Sequence, residues 1–573
     1  MLVETEHSIE RVVLRAGSKG LQAPLEFAPA SVNVFVGPNH SGKSLLLREL
    51  QAAIQHPQQA PHRKVLQDLI FTPWSEQQKV SILAELQGAQ AAARPSLNNP
   101  SSAIQFDSGG KSYEIHKSSW EIFLREFSTL HDIGQINEEV RQHFLRGFFL
   151  MLGGKERLDV LNPTKRESPL GRYVHVLSRL FYSDTKRKLT QEIIHDAFKC
   201  HFVIDPFGEN FEAKISKVAP PPGYERSLAD DVVGFFRQSE KIDTMSDGVR
   251  AYCGMVAAVV ASDARMILID EPEAFLHPAL CIKLARELCK LARANRQQLF
   301  IATHSAPFLM GCVQAGIDLN IVRLTYRDSS ATSRLLPQQE IIPLMRQPLL
   351  RSIGALTGIF YESVAVTEAD ADRAFYDEVN HRCLTFHHAG EIADCLFLNA
   401  QNWQTTARVI APLRRLGVAA ASIVDIDLLL ESKSDAFQTL AEAAGIPPAT
   451  RQSLGQLRGQ LHAKLKPIEK SLKKQGVACV TGDDQLDLNN FINQLAQYGV
   501  FVVPVGELEC WLPNLSRNQW SGKNEWLLRT FEAMGEDAGN SNYLRPSSGD
   551  VWDFVTRIRG WFQNPQRLGM PDS

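Results

Sequence analysis

Residues 37–44, Gly-Pro-Asn-His-Ser-Gly-Lys-Ser, constrain the fold more than any other stretch of the chain. A loop of this composition lets backbone N–H groups converge on one anion, because Gly37 and Gly42 permit an approach that a side chain would block. Asn39 and Ser41 lie within the loop, Lys43 can reach the β- and γ-phosphates, and Ser44 can ligate Mg²⁺. The preceding run Val32-Asn33-Val34-Phe35-Val36 reads as an apolar strand. The helix expected from Lys43 to about Ile54 aims its positive end at the anion. Strand, loop and helix in this order imply an α/β fold that binds a nucleoside triphosphate.

Three downstream segments supply what such a site needs. Met266-Ile267-Leu268-Ile269 is an apolar strand ending in Asp270-Glu271, with Asp270 placed to hold the Mg²⁺ shell and Glu271 to polarise the attacking water. A second apolar strand, Gln298 to Thr303, ends at His304, within reach of a γ-phosphate. Ser246-Asp247-Gly248 precedes a long helical stretch, where Ser246 can cap the helix and offer N–H groups to phosphate. A lone strand-end acid or histidine is commonly structural; four such features in this order are hard to produce by chance.

On these residues, the region from residue 1 to 345 resembles an ABC-type ATPase of the chromosome-maintenance and DNA-repair kind. Gly37–Ser44 matches the Walker A motif, Asp270-Glu271 the Walker B pair, Ser246-Asp247-Gly248 the signature and His304 the switch histidine. The resemblance implies that the signature of one protomer closes over ATP held by another, hence a homodimer or higher oligomer through the ATPase heads. Two positions depart from the pattern. The signature is Ser-Asp-Gly, and His40 stands where a glycine is common. Phe148–Gly154 has strand-then-loop character and is the candidate Q-loop region, with Lys155 or Arg157 near phosphate. Helices are expected over 119–149 and 167–200, a helical insertion at about 119–200. Two β-hairpins are expected, one over 103–116 and one over 201–216.

Composition sets outer limits. A chain of 573 residues is long for one core and points to more than one domain. The hydrophobic share of 44%, charged share of 22% and net charge of −3 are those of an ordinary globular protein without a uniformly basic coat. No apolar run approaches the ~20 residues that span a bilayer. The best, Met255 to Ile269, is broken by Asp263 and Arg265. Nine cysteines, none in a Cys-x-x-Cys pair, fit reduced thiols. The expected location is cytoplasmic, with no membrane partner.

From residue 355 to 573 short apolar strands alternate with helices, and the strands end in acids. Ser363–Thr367 leads to Glu368 and Asp372, and Val418–Val424 leads to Asp425-Ile426-Asp427. Val500–Val505 leads to Glu507 and Glu509. Residues two apart on a strand share a face, so Asp425 and Asp427 are expected in one cleft. Parallel sheets gather ligands at the carboxyl ends of their strands, which would add Glu368. Such oxygen ligands suit Mg²⁺ or Mn²⁺. The acids at 368–372 can alternatively cap the following helix.

This pattern resembles a TOPRIM domain. The order of ABC-type ATPase then TOPRIM resembles the OLD-family (overcoming lysogenization defect) nucleases, which include Gabija-type and retron-linked antiphage effectors. The resemblance implies an ATPase-gated, metal-dependent DNA endonuclease or nickase. It assigns Glu368, Asp372, Asp425, Asp427 and an acid at 507 or 509 to metal, with Lys523 as candidate catalytic lysine and Arg529 and Arg545 also in range. Double-stranded DNA is the implied substrate, and the resemblance leaves room for a companion defence protein or a retron reverse-transcriptase complex. A basic helical insertion at about 435–476 carries Arg451, Arg458, Lys464, Lys466, Lys470, Lys473 and Lys474, either a phosphate-neutralising stripe or a solvated helix face. The rival readings are a non-catalytic DNA-clamping ATPase with a TOPRIM scaffold and a transporter ATPase subunit.

Overall fold

The computed structural model describes residues 9–18, 20–55, 63–71, 94–95, 103–108, 111–116, 149–166, 175–262, 264–327, 330–431, 434–515 and 523–571. The helix expected over 119–149 lies, but for residue 149, outside the described residues. The chain divides into two compact units, one of residues up to Leu335 and one of Leu336–Ser573, with Gly37–Asn39 grouped with the second. Residues 336–345, which the sequence placed in the first domain, belong to the second unit.

The first unit is built on a six-stranded sheet. Its strands are β1 (Val32–Val36), β2 (Phe149–Leu152), β3 (Met266–Asp270), β4 (Gln298–Ala302), β5 (Leu319–Arg327) and β6 (Ser330–Leu336), ordered β6-β5-β1-β4-β3-β2. The pairs β5/β1, β1/β4, β4/β3 and β3/β2 are all parallel. Every residue of β1 and β4 is buried, as expected for strands covered on both faces. Helix α1 (Lys43–Gln55) packs Leu46, Leu47, Leu50 and Ala53 onto the sheet beside Phe35, Leu268 and Phe300. That one-sided apolar spacing is what turns its N-terminus towards the loop.

Helix α2 (Glu156–Asp159) follows β2, and helix α3 (Asp247–Ala261) follows the signature; α3 is buried without a break from Ala251 to Ala261. The hairpin expected at 201–216 is present as His201–Asp205 paired antiparallel with Asn210–Ser216. Ala103–Ser108 and Lys111–His116 pair likewise.

The second unit holds four parallel strands: β7 (Ser363–Thr367), β8 (Cys395–Asn399), β9 (Ala419–Val424) and β10 (Val500–Val502), ordered β8-β7-β9-β10. Helix α4 (Asp370–Thr385) follows β7, and α5 (Trp403–Arg415) follows β8. The basic insertion between β9 and β10 is helical: Ser434–Ala443, α6 (Pro448–Leu465) and α7 (Glu469–Gln475). The last helix, α8 (Asp550–Gln563), lays Trp552, Phe554, Val555 and Ile558 into the core with Phe375, Phe397 and Phe501.

Arg414, 1% exposed, ties these pieces together. Its Nε donates to the carbonyl of Ala420 at 2.8 Å, Nη1 to Ala444 at 2.8 Å and Gly569 at 3.1 Å, and Nη2 to Tyr498 at 3.0 Å. The guanidinium also lies over the Trp561 ring. Burial pulls its pKa down to about 9, so it stays charged at neutral pH. Removing the cation takes a donor from four carbonyls of different elements, which at about 1 kcal/mol per hydrogen bond is a loss of about 3–5 kcal/mol. Arg414→Ala should therefore lower the stability of the second unit by that amount in urea denaturation; a loss below about 1 kcal/mol would contradict this role.

Candidate functional site

The parallel register brings the ends of β1, β3 and β4 to one edge. Ser44 Oγ donates to Asp270 Oδ1 at 2.9 Å, joining residues 226 apart in the chain. Lys43 is 3% exposed and its Nζ meets Ser41 Oγ at 3.1 Å. The loop's turns need the conformations the sequence provides, with Gly37 at φ 136° and Gly42 at φ 94°. His40 also has positive φ, 60°, which explains why glycine suits that position. Asn39 and His40 are exposed. Beside the loop a cavity of about 200 Å³ is lined by Leu14, Ala16, His40, Lys64, Tyr326 and Thr332 among others, next to the place a nucleotide's phosphates would occupy.

Ser44 and Asp270 offer two hard oxygens at one point of this edge, the donor set and spacing that a Mg²⁺ ion carried in with a nucleotide would take. Burial raises the Asp270 pKa, opposed by the Ser44 hydroxyl. Glu271 is exposed at φ 48° and its Oε1 lies 3.6 Å from His304 Nε2. The left-handed conformation costs a residue with a side chain on the order of 1–3 kcal/mol and needs outside support. The support comes from Arg157, 2% exposed, whose Nη1 donates to the carbonyl of Asp270 at 3.1 Å and of Glu271 at 2.5 Å. Arg157 therefore serves the β3 end rather than a phosphate; Lys155 is exposed.

Glu273, which the sequence pattern does not single out, closes the other side. It accepts from Thr303 Oγ1 at 2.8 Å and from the His304 amide at 2.6 Å, linking the ends of β3 and β4, and burial raises its pKa. Its place two residues beyond Glu271 in Asp-Glu-Pro-Glu was the available signal. Ser246 stands at the N-cap of α3, but its side chain makes no capping bond. Gly248 is needed for close approach, since a Cβ there would lie 2.6 Å from the Phe275 carbonyl.

In the second unit, Glu368, Asp425, Asp427, Glu507 and Glu509 all lie beyond the carboxyl ends of β7, β9 and β10. Glu368 Oε1 accepts the Asp425 amide at 2.6 Å. Asp425 and Asp427 do not share a strand face as expected: β9 stops at Val424, and Asp425 is the N-cap of a 3₁₀ turn, Ile426–Leu429, that contains Asp427. Asp427 Oδ2 meets Lys473 Nζ at 2.9 Å, and Glu507 Oε1 lies 3.4 Å from the same nitrogen. Asp372 caps α4 by accepting the Ala369 amide at 2.9 Å, as the capping alternative expected. Glu509 is half-buried in the turn Leu508–Cys510, and β10 stops at Val502, short of the expected Val505. Lys523 opens the helix Lys523–Met534; its side chain lies outside the described residues.

Among the described residues no group of three or more acids, histidines and cysteines gathers at metal-holding distance. The second-unit carboxylates as arranged do not form a cation cage, because the Lys473 ammonium stands between Asp427 and Glu507. Nor is the basic insertion one free stripe. Arg458 is buried against the carbonyls of Leu428 and Glu431, Lys464 pairs with Asp484 and Lys466 with Glu469; Lys470 and Lys474 are exposed.

The sequence profile described as "AAA domain, putative AbiEii toxin, Type IV TA system" matches residues 32–311, which span both strand-end acids and the phosphate loop. No curated protein matches the chain. Solved structures that resemble it include an SMC head bound to the C-terminal winged-helix domain of ScpA, at 12% identity and TM-score 0.35, covering 58% of this chain and 99% of that one. The SMC head of Thermotoga maritima has 15% identity and TM-score 0.29, covering 58% and 98%. The head with an extended coiled coil from Pyrococcus furiosus, bound to ScpA, has 12% and 0.33, covering 59% and 99%. The site and the profile together define the first unit as an α/β P-loop ATPase domain. No helix among the described residues is long and apolar enough to cross a membrane.

His304 is held neutral, its pKa pulled to about 4 by burial and then by the Lys43 ammonium. An unfolded imidazole binds its proton near pH 6.5. Between these values the unfolded chain takes up a proton that the native site refuses, so His304's contribution to stability is present above pH 6.5 and is lost as pH falls towards 4. Melting temperatures of His304→Gln should fall less steeply than wild type across that window. Parallel curves would refute the depressed pKa.

Proposed function

We propose that the protein is an ATP hydrolase whose turnover governs a DNA-cutting second unit, in the manner of OLD-type antiphage nucleases. The ATPase half rests on one observation: Ser44 and Asp270 meet at 2.9 Å, with Glu271 and His304 beside them at the same sheet edge. Lys43 binds the β- and γ-phosphates. Ser44 and Asp270 would hold Mg²⁺, which when bound screens phosphate charge. Glu271 takes a proton from the attacking water, and neutral His304 donates to or orients around the γ-phosphate. Ser246 and Gly248 of a second copy would complete the site, which makes a nucleotide-dependent homodimer part of the proposal.

The nuclease half is supported by the convergence of Glu368 and Asp425 and by the acids Asp427 and Glu507 beyond the ends of the same set of strands. As arranged, those carboxylates do not form a cation's cage, because the Lys473 ammonium pairs with both Asp427 and Glu507. The Lys473 bridge favours a second reading, a DNA-clamping ATPase whose TOPRIM-like unit is a scaffold. Exposed Lys470 and Lys474 suit DNA phosphates under either reading.

Two measurements decide. Lys43→Ala should lose ATP binding, while Glu271→Gln should bind ATP and turn it over about 10²–10⁴-fold more slowly; wild-type turnover in Glu271→Gln would remove its assignment as base. Supercoiled plasmid incubated with Mg²⁺ or Mn²⁺, with and without ATP, should be nicked by wild type and left intact by Glu368→Ala and Asp425→Ala, both retaining ATP turnover. Equal nicking by all three proteins, or none by wild type, would hand the second unit to the scaffold reading.

A further inference from the structure

Glu271 can serve as a base only if its carboxylate points at the water, and its backbone conformation is one that residues with side chains avoid. Its amide donates to the Ala302 carbonyl at 2.8 Å, and its own carbonyl accepts from the Ala274 amide at 3.0 Å. These two bonds tie the peptide planes on either side of the Glu271 α-carbon by one group each, leaving the Asp270 carbonyl for a further donor. Arg157 alone clamps the two planes to each other, since one nitrogen of its guanidinium reaches the carbonyls on both sides of Glu271's α-carbon.

The arginine is itself held. It is 2% exposed and its guanidinium lies 5.9 Å from the centre of the Phe275 ring. Helix α2, which carries it, sits against α3 at Gly254, where a Cβ would come within 2.1 Å of the Arg157 carbonyl. Arg250 of α3 also reaches the Leu158 carbonyl at 3.5 Å. Burial lowers the Arg157 pKa, while Glu273, Glu271 and Asp270 favour its charged form.

We propose that Arg157 is the positioning residue of the ATPase site, holding Glu271 in its left-handed conformation through the carbonyls of residues 270 and 271. The inference rests on the ATPase reading. Because Arg157 bonds the backbone at the end of β3 and the phosphate loop holds the nucleotide, its removal slows turnover with little loosening of nucleotide.

Steady-state ATP hydrolysis by the full chain, with binding of a fluorescent ATP analogue and melting temperature measured in parallel, tests this. Arg157→Met should lower kcat about 10–100-fold, the scale of a misplaced reacting group, with KM and analogue binding within about twofold of wild type. Arg157→Lys, which keeps a donor, should recover part of the loss. In a Glu271→Gln background, Arg157→Met should cost nothing further, whereas a merely structural arginine would cost the same in both backgrounds. The inference is overturned if Arg157→Met keeps wild-type kcat, or if its loss repeats in full in the Glu271→Gln background. Absence of ATP turnover in the wild type would overturn the ATPase reading, and this inference with it.

Discussion

The parallel register of β1, β4 and β3 is the constraint on which the first unit depends. Leu299 stands opposite Val32, and Met266 opposite Gln298, so three strands from distant parts of the chain end level with one another. Parallel pairing forces the chain to leave each strand at the same edge, so the residues just beyond the three strands must meet there. The phosphate loop leaves β1, Asp270-Glu271 closes β3 and His304 lies just past β4. Because β1 and β4 are wholly buried, a slip of register would move polar strand ends into the core, and the pairing is held by the same apolar side chains that form that core.

Such an edge collects charge that the rest of the domain must stabilise. Asp270 and Glu273 carry pKa values raised by burial, and Glu271 adopts a conformation that costs energy. The compensation is local and made largely with the backbone: Arg157 on the carbonyls of 270 and 271, Glu273 on the amide of His304. Strain and desolvated acids at a strand end are the expected mark of a site that must have its groups in place before the ligand arrives.

In the second unit the same sheet logic is reinforced by buried arginines. Arg414 gathers carbonyls from β9, from the segment before β10 and from the end of the chain. Arg382 of α4 binds the carbonyls of Met534, Gly535 and Leu544 and stacks at 3.9 Å on Tyr543. Both fasten irregular C-terminal segments, whose carbonyls lack ladder partners, onto a regular core. At the carboxyl edge the acids are partnered differently from the ATPase site. Glu368 holds a backbone amide, and Lys473 neutralises Asp427 and Glu507 together.

Much of this was readable in the chain. Glycines at 37 and 42, Lys43-Ser44 and the strand-end pair Asp270-Glu271 announce their chemistry because it depends on residue type at fixed short spacing. The runs Val32–Val36 and Met266–Ile269 announce buried parallel strands because burial on both faces removes alternation. The capping bond of Asp372 comes from its place three residues beyond Ala369. Other roles had no local signature. Asp427 left the strand for a 3₁₀ turn, Arg458 turned inward from a basic run, and Lys473 became the partner of two acids. Arg157 and Glu273 likewise gained their roles by reaching carbonyls and amides of segments far away in sequence. A side chain's type and its neighbours in the chain decide what it can bind; which backbone groups stand within reach is decided only when the strands and helices pack.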